Sequence, residues 1–220
     1  MTESLFGPPA PFEFAPGAWL LPGLALGAEA ALLSAVEAVL AQAPLRQMQT
    51  PGGQTMHVAM SNCGPLGWVS SRAGYRYQAL DPLSGQAWPT MPPELKSLAR
   101  HAAELAHYEN FEPDACLINR YLPGTKLSLH QDRDERDYSQ PIVSVSLGLP
   151  AVFLFGGLQR ADKTLRLPLT HGDVLVWGGP SRLRFHGVMP VAQGQHPHLG
   201  ERRINLTFRR AGELLSTCRP

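Results

Sequence analysis

The feature that most constrains the fold of this chain is a series of short apolar or alternating runs that begins at Ala115. Turn-forming pairs such as Pro123-Gly124 and Gly156-Gly157 separate these runs. Runs of this length, closed by tight turns, favour β-strands over helices. Eight strands, with tight connections typical of a sandwich or jelly roll, are predicted at residues 115–121, 127–132, 142–149, 151–155, 165–169, 173–177, 183–189 and 203–209.

Two segments ahead of these strands carry helix signals. Residues 28–43 repeat leucine and valine at helical spacing, and alanine fills most of the other positions. In residues 93–107, Pro93 suits the first helical position and Glu94 complements the positive N-terminal end of a helix. Residues 44–92, which lie between these helices, are predicted to be loop-rich because prolines and glycines interrupt them repeatedly.

The length of 220 residues suits one domain with a well-buried core. The expected fold class is α+β, mainly β, in which a jelly roll (a double-stranded β-helix) is flanked by helices. The predicted divisions are an irregular lead-in at residues 1–15, a single domain at residues 16–212 with its core at 115–210, and a disordered tail at 213–220.

Composition indicates the cellular compartment of the protein more clearly than it indicates a binding partner. The three cysteines show no CxxC spacing, which argues against a disulfide framework or a structural zinc cluster. Neither a signal-peptide pattern nor an apolar stretch of membrane-spanning length occurs, so we expect a cytoplasmic protein without membrane association. The net charge of +1 indicates no nucleic-acid partner by itself, although residues 38–80 contain arginines and no acidic side chain.

Three residues have the types and spacing of a metal site. In a strand His130 and Asp132 project from the same face, so an imidazole and a carboxylate can occupy adjacent positions on one metal. His186 lies in another apolar strand, where a buried ring needs either a metal or an ordinary hydrogen bond. Two histidines and one carboxylate describe the facial triad of non-haem iron oxygenases, but a zinc hydrolase can use the same ligands.

The last predicted strand favours the oxygenase. Arg203, Asn205, Thr207 and Arg209 alternate with apolar residues and therefore share one face. If that face points inward, both guanidiniums require anions, and no carboxylate alternates opposite them in the nearby strands. A dicarboxylate such as 2-oxoglutarate would satisfy both, since each guanidinium can bind a carboxylate bidentately.

The strand at residues 115–121 supports such a pocket. Period-two spacing aligns Leu117, Asn119 and Tyr121, and the amide and phenol could donate hydrogen bonds to a carboxylate. An interior tyrosine with a satisfied hydroxyl is an equally good interpretation of this segment alone. Ser144 similarly places a small polar group on one face of an apolar run.

These motifs together resemble the AlkB family of Fe(II)/2-oxoglutarate-dependent dioxygenases. The resemblance begins with His130-Gln-Asp132, the distal His186 and the strand Arg203-x-Asn-x-Thr-x-Arg209, and it covers roughly residues 12–212. The further segments that carry it are Thr50-Pro-Gly-Gly, Met60-Ser-Asn-Cys-Gly, Gly67-Trp68, Pro113–Tyr121, Pro141–Gly148 and Gly172–Gly179. One departure is Gln54, which stands where the compared family member has a tyrosine.

The resemblance implies the cofactors and the residues that bind them. His130, Asp132 and His186 would bind iron(II), with 2-oxoglutarate and O2 as co-substrates. Arg203 would pair with the distal carboxylate of 2-oxoglutarate, and Arg209 would lie near the carboxylate beside the keto group. The other residues implied to line the cofactor pocket are Leu117, Asn119, Tyr121, Leu127, Ser144 and Asn205.

The resemblance also implies the substrate, an N-alkylated base such as 1-methyladenine or 3-methylcytosine in single- or double-stranded DNA, or in RNA. Trp68 would stack on the flipped base opposite His130, and Asp134 would favour a positively charged base. Residues 44–92 would form a nucleotide-recognition lid over the core. The other residues implied to contact the substrate are Thr50, Met60, Tyr75 and Arg160.

Three other functions stay open at this point. The same site could hydroxylate a protein side chain or a small molecule, and it would then not respond to methylated oligonucleotides. A cupin-like metal-binding module without redox chemistry would leave the two inward arginines unexplained, and a nucleic-acid-binding protein with a dead site would not need the complete triad. His196 and His198 are interpreted as loop residues, because no carboxylate or cysteine accompanies them at ligand spacing.

Overall fold

The structure is a computed structural model that describes residues 10–212. Its strands, numbered along the chain, form two sheets and a separate hairpin made of β5 (Gly67–Ser71) and β6 (Gly74–Gln78). The major sheet contains, in spatial order, β1 (Phe12–Ala15), β2 (Ala18–Leu21), β12 (Val174–Trp177), β9 (Ile142–Gly148), β14 (Arg203–Arg209), β7 (Ala115–Tyr121), β4 (Thr55–Cys63) and β3 (Arg46–Gln49). The minor sheet contains β11 (Leu165–Leu169), β10 (Ala151–Phe155), β13 (His186–Val188) and β8 (Leu127–His130).

Two hydrophobic cores hold these layers together. The helices α1 (Glu29–Gln42) and α2 (Pro93–Leu105) contribute Leu32 and Leu95 to a core that they share with one face of the major sheet. The second core, which contains Phe153 from the minor sheet and Trp177 from the major sheet, lies between the two sheets. The predicted jelly roll with flanking helices is confirmed.

Strand β14 lies near the middle of the major sheet because both of its faces can be buried. Ile204, Leu206 and Phe208 belong to the core against the helices. The alternate residues face the other way, and Arg203 is nevertheless only 1% exposed. Burial of each large apolar side chain contributes roughly 1.5–3 kcal/mol, which helps to offset the cost of the polar face. The polar face of β14 is therefore buried, which is the condition on which the dicarboxylate interpretation depended.

Two regions differ from the sequence-based expectation. Phe12–Ala15, interpreted as irregular, forms an edge strand because it pairs with β2 in the register Phe12↔Leu20. Residues 44–92 are less loop-rich than predicted, since they contain β3 to β6, and β4 pairs with β7. β1 forms a hairpin with the next strand along the chain, whereas β4 pairs with a strand that is distant in sequence. Residues 1–9 of the lead-in and the tail at 213–220 lie outside the described residues.

Smaller differences concern the ends of elements. The strands predicted at 127–132 and 183–189 are shorter, at Leu127–His130 and His186–Val188. The described part of the chain contains no helix that is both long and apolar enough to cross a membrane.

Candidate active site

The three predicted metal ligands come together between the sheets. His130 at the end of β8 pairs across the strands with His186 at the start of β13, and Asp132 follows two residues after β8. His130 Nε2 lies 3.6 Å from Asp132 Oδ1, and His186 Nε2 lies 3.6 Å from Asp132 Oδ2. One potential ligand atom from each residue lies within 4.8 Å of the other two. This spacing suits three ligands on one ion, with positions left open for other molecules.

Backbone carbonyls select the ring tautomer that a metal requires. His130 Nδ1 lies 2.9 Å from Ser128 O, and His186 Nδ1 lies 3.0 Å from Arg184 O. A carbonyl oxygen can only accept a hydrogen bond, so each neutral ring carries its proton on Nδ1. The Nε2 lone pairs therefore point toward Asp132, which is the arrangement that orients histidine ligands in metal sites.

The charges of the triad also suit a divalent cation. Burial, reinforced by the neighbouring His186, lowers the pKa of His130 to about 4, although 35% of the His130 side chain remains exposed. Burial alone would raise the pKa of Asp132, but Arg209 and the two histidines hold that pKa well below its usual value. At neutral pH the site therefore offers a neutral His130 and a carboxylate, both able to bind a metal.

The two arginines of β14 have different environments. Arg209 Nε and Nη2 donate to Asp132 Oδ2 at 2.9 and 2.5 Å, and Arg209 Nε lies 3.3 Å from Glu135 Oε1. Arg209 therefore has carboxylate partners within the chain, although none of them alternates opposite it in a neighbouring strand. Asp132 and Glu135 both lie beyond the end of β8, and their pairing with Arg209 was not predicted.

Arg203 keeps unpaired donors. Its Nη2 donates to Ser146 Oγ at 2.9 Å, and its guanidinium lies 5.1 Å from the ring centre of Tyr121. Its Nε and Nη1 are buried without a hydrogen-bond partner in good geometry among residues 10–212. Burial lowers the pKa of Arg203, opposed by Tyr121. A buried cation with two free donors fits a carboxylate ligand.

One cavity of about 680 Å³ contains the whole predicted site. Its volume lies within the range that is typical of pockets for small molecules. Within it, Asn205 Nδ2 donates to Ser144 Oγ at 2.8 Å, and Thr207 Oγ1 donates to Asn205 Oδ1 at 3.0 Å. The predicted site residues that line it are Thr50, Met60, Trp68, Tyr75, Leu117, Asn119, Tyr121, Leu127, His130, Asp132, Asp134, Ser144, Arg160, His186, Arg203, Asn205 and Arg209.

Aromatic rings from the hairpin β5–β6 form part of this cavity's wall. Trp68 and Tyr75 stack with their centroids 5.5 Å apart and their planes 16° from parallel. Trp68 Nε1 donates to Asp134 Oδ2 at 2.8 Å. Arg160 Nη1 donates to Leu129 O at 2.7 Å, and Thr50 Oγ1 accepts from Gln54 N at 3.1 Å. A flat apolar surface beside a carboxylate suits a planar, positively charged ligand.

Glu135 and Arg182 also belong to this region, although neither was predicted from the sequence. Their side chains are 2% and 3% exposed, and Arg182 Nη2 donates to Glu135 Oε2 at 3.0 Å. Both lie outside regular strands, so no periodic pattern marks either of them as buried. The available signal is the run of charges from Asp132 to Asp137, which indicates that some of these side chains pair with one another or with distant partners.

A second histidine group lies elsewhere. In the structure Glu29 and His171 lie close to His196. A carboxylate therefore accompanies His196 in space, although none lies near it in the sequence. His171 Nδ1 accepts a hydrogen bond from Gly148 N at 2.9 Å, which leaves the proton of the neutral ring on Nε2, 3.2 Å from Glu29 Oε1. That tautomer presents an N–H group to Glu29 and not a lone pair to a metal. His198 is an exposed neighbour, as its interpretation as a loop residue predicts.

Comparisons with known proteins agree with this geometry. A family model described as "2OG-Fe(II) oxygenase superfamily" matches residues 17–209. The chain is 56% identical over 211 residues to "Alpha-ketoglutarate-dependent dioxygenase AlkB" of Salmonella typhimurium, covering 95% of this chain and 98% of that protein. It is 34% identical over 138 residues to human "Nucleic acid dioxygenase ALKBH1", covering 60% of this chain and 35% of the human protein.

A solved structure shows a similar fold. The structure described as "The structure of OsALKBH1" superposes with a TM-score of 0.80 at 28% identity, covering 91% of this chain and all of that one. Identity along nearly the whole length, the superfamily match and the shared fold lead to one conclusion. The chain belongs to the AlkB family of the 2OG-Fe(II) oxygenase superfamily.

Proposed function

We propose that this protein oxidatively removes alkyl groups from N-alkylated nucleic-acid bases, using iron(II), O2 and 2-oxoglutarate. One observation carries the proposal. A single cavity joins a His-Asp-His cluster with the correct tautomers, a buried arginine with free donors, and an aromatic wall with a carboxylate beside it. The human relative, named a nucleic acid dioxygenase, also supports nucleic acid as the substrate.

The residues present fit the cofactors of the family. His130, Asp132 and His186 would hold iron(II), and the free donors of Arg203 would bind one carboxylate of 2-oxoglutarate. When bound, iron(II) and 2-oxoglutarate supply an oxidant made from O2 that hydroxylates the alkyl carbon, while 2-oxoglutarate becomes succinate and CO2. The hydroxylated N-methyl group would then leave as formaldehyde: its C–N bond breaks, the ring nitrogen keeps the electron pair and loses its positive charge, and the hydroxyl proton is released.

The chain's own residues orient the base. Because the triad lies in the interior, a base in a helix must leave its stack to reach it. We propose that the base then stacks on Trp68, since an aromatic platform accepts the flat face of any base. Asp134, which is exposed and holds the Trp68 indole, would favour bases whose alkylation leaves a positive charge, such as 1-methyladenine and 3-methylcytosine.

Two wider features belong to this proposal. The hairpin β5–β6 would serve as the moving part of the nucleotide-recognition lid, because neither of its strands pairs with the two sheets. The cytoplasmic location stays a prediction from the sequence, and we propose that the protein acts as a monomer. Repeating the assay below with the same lesion in single-stranded DNA, double-stranded DNA and RNA would rank these substrates by their rates.

The test measures succinate and formaldehyde from the purified protein with iron(II), ascorbate and 2-oxoglutarate in air. One oligonucleotide contains 1-methyladenine, and its control has the same sequence without the methyl group. We expect both products to rise strongly with the methylated oligonucleotide alone. Equal succinate with both oligonucleotides, and no formaldehyde, would contradict the proposal and favour hydroxylation of a protein or small molecule.

A further inference from the structure

Glu135 is a buried carboxylate that touches neither the cavity nor the proposed metal. Three groups from three parts of the chain surround its side chain, which is only 2% exposed. Tyr77 Oη donates to Oε1 at 2.7 Å, Arg182 Nη2 donates to Oε2 at 3.0 Å, and Arg209 Nε lies 3.3 Å from Oε1. A charge so far from water persists only when such partners compensate it.

On one side, this carboxylate holds the hairpin that carries the base platform. Tyr77 on β6 lies directly across the hairpin from Trp68 on β5. Side chains of opposite residues in such a pair move together because their Cβ atoms are close. Two successive carboxylates therefore hold two paired residues, since Asp134 accepts from Trp68 Nε1 and Glu135 accepts from the Tyr77 hydroxyl.

On the other side, the partners of Glu135 also hold the carboxylate of the triad. Arg209 donates to Asp132 Oδ2 through both Nε and Nη2, and Arg182 Nη1 donates to the backbone oxygen of Asp132 at 2.8 Å. Arg182 and Arg209 are 3% and 6% exposed, so water does not replace them easily. A continuous chain of charge-assisted hydrogen bonds thus runs from the hairpin to Asp132.

We infer that Glu135 and Tyr77 are positioning residues that couple the base platform to the metal and 2-oxoglutarate site. Filling the metal site fixes Asp132, and through the two arginines it fixes Glu135, Tyr77 and the platform. By linkage the effect is reciprocal, so a base on Trp68 favours the bound geometry at Asp132. The inference rests on the proposed function for the identity of the ligands, but the hydrogen bonds that carry it do not.

The reciprocal coupling gives a reason for a buried ionic network at this place. A chain of hydrogen bonds is stiff only when every member is satisfied. The hydrogen bonds of Tyr77 and Arg182 to Glu135, and of Arg182 and Arg209 to Asp132, are 2.5–3.0 Å long, and Arg209 Nε adds an ion pair to Glu135 at 3.3 Å. Loss of one hydroxyl from this chain interrupts the coupling without adding an unpaired charge to the metal site. Tyr77→Phe is therefore the sharpest perturbation that the chain offers.

The first experiment uses a readout that does not depend on turnover. Hydrogen exchange of amides in residues 67–78 is measured by mass spectrometry with and without Mn²⁺ and 2-oxoglutarate, because Mn²⁺ is a divalent ion that can occupy the site through its carboxylate and the oxygens of 2-oxoglutarate without supporting turnover. The variants are Tyr77→Phe and the matched control Tyr108→Phe, which removes another 2.7 Å hydroxyl hydrogen bond, to Gly17 O. Glu135→Gln serves as a second interruption of the same chain.

In the wild type and in Tyr108→Phe, we expect the ligands to slow exchange of the hairpin amides by about 5-fold or more, the usual lower range of coupling between sites. In Tyr77→Phe and Glu135→Gln, this slowing should disappear while residues around β8 and β14 keep their protection. If Tyr77→Phe and Tyr108→Phe responded alike, the inference would be overturned.

A second readout uses the ratio of succinate formed to base repaired. Coupling predicts a ratio near that of the wild type in Tyr108→Phe and a ratio several times higher in Tyr77→Phe, since 2-oxoglutarate would be consumed without a well-placed base. If the wild type repaired no base yet showed hairpin protection that Tyr77→Phe loses, the proposed substrate would be wrong and the coupling would stand. If the ratio of succinate formed to base repaired in Tyr77→Phe stayed at the value of the wild type and of Tyr108→Phe, the coupling would be overturned.

Discussion

Replacing Arg203 by methionine should separate stability from cofactor binding. Arg203 is 1% exposed, and its Nε and Nη1 have no well-placed partner in the described part of the chain. Each buried donor left unpaired costs about 1–3 kcal/mol, so removing two recovers about 2–6 kcal/mol. Methionine has a similar length and fills the space without a donor.

The substitution also removes favourable contacts of the guanidinium. The hydrogen bond to Ser146 Oγ is charge-assisted and contributes about 1.5–3 kcal/mol. The contact with the Tyr121 ring contributes about 0.5–2 kcal/mol. Because this loss is close to the gain, we expect the free energy of unfolding of the ligand-free variant to equal that of the wild type or to exceed it.

Binding of 2-oxoglutarate should change in the opposite direction. If Nε and Nη1 bind one carboxylate, their loss removes two charge-assisted hydrogen bonds, which corresponds to a Kd at least about 100-fold higher. Urea unfolding would measure stability, and calorimetric titration with 2-oxoglutarate in the presence of Mn²⁺ would measure the Kd. The control is Arg202→Met at the exposed neighbouring position, which should change neither quantity much.

The two measurements on the Arg203 variant together distinguish a structural guanidinium from a ligand-binding one. A variant of Arg203 that unfolds several kcal/mol more easily, yet binds 2-oxoglutarate with the Kd of the wild type, would show that the guanidinium is a structural group. Arg203 would then not be the carboxylate anchor.

Four further predictions follow from the site and the core. Asp132→Ala should abolish stoichiometric Mn²⁺ binding in calorimetry, because the triad loses its only carboxylate; retained binding would remove Asp132 from the ligand set. Asp134→Asn should keep that binding but lower the preference for a cationic methylated base over a neutral one in a competition assay, whereas an unchanged preference would exclude this role. Trp68→Ala should raise the KM for the oligonucleotide about 5- to 150-fold, the equivalent of about 1–3 kcal/mol of stacking, and a wild-type KM would exclude it as the platform. Leu206→Ala should lower the free energy of unfolding by about 2–5 kcal/mol, since Leu206 is fully buried, and should leave the Kd for 2-oxoglutarate unchanged; urea unfolding and titration would show a failure of either part.

Local periodicity explains what could be predicted from the sequence. The alternation of β14 places Arg203 and Asn205 on one face whatever surrounds the strand, and β14 is observed at the predicted residues 203–209. The triad was predicted from a strand at residues 127–132 that would place His130 and Asp132 on one face; β8 ends at His130, but the short spacing still brings Asp132 beside it and His186.

Features that depend on distant partners could not be predicted from local pattern. Strand β4 is recognisable only through its pairing with β7. The ion pair between Glu135 and Arg182 joins two irregular segments, and Glu29 reaches His171 from the first turn of α1. In each case the sequence shows a polar residue in a loop or at a helix end, and only the tertiary fold determines which other residue lies beside it.

The most direct test of the central claim is mass spectrometry of a short oligonucleotide that contains one 1-methyladenine. It is incubated in air with the protein, iron(II) and ascorbate, with or without 2-oxoglutarate, alongside the Asp132→Ala variant. We expect the methyl mass to be lost only in the complete reaction of the wild type, with an equal amount of succinate formed. Loss of the methyl group without 2-oxoglutarate, or an unchanged oligonucleotide while succinate accumulates, would contradict the account.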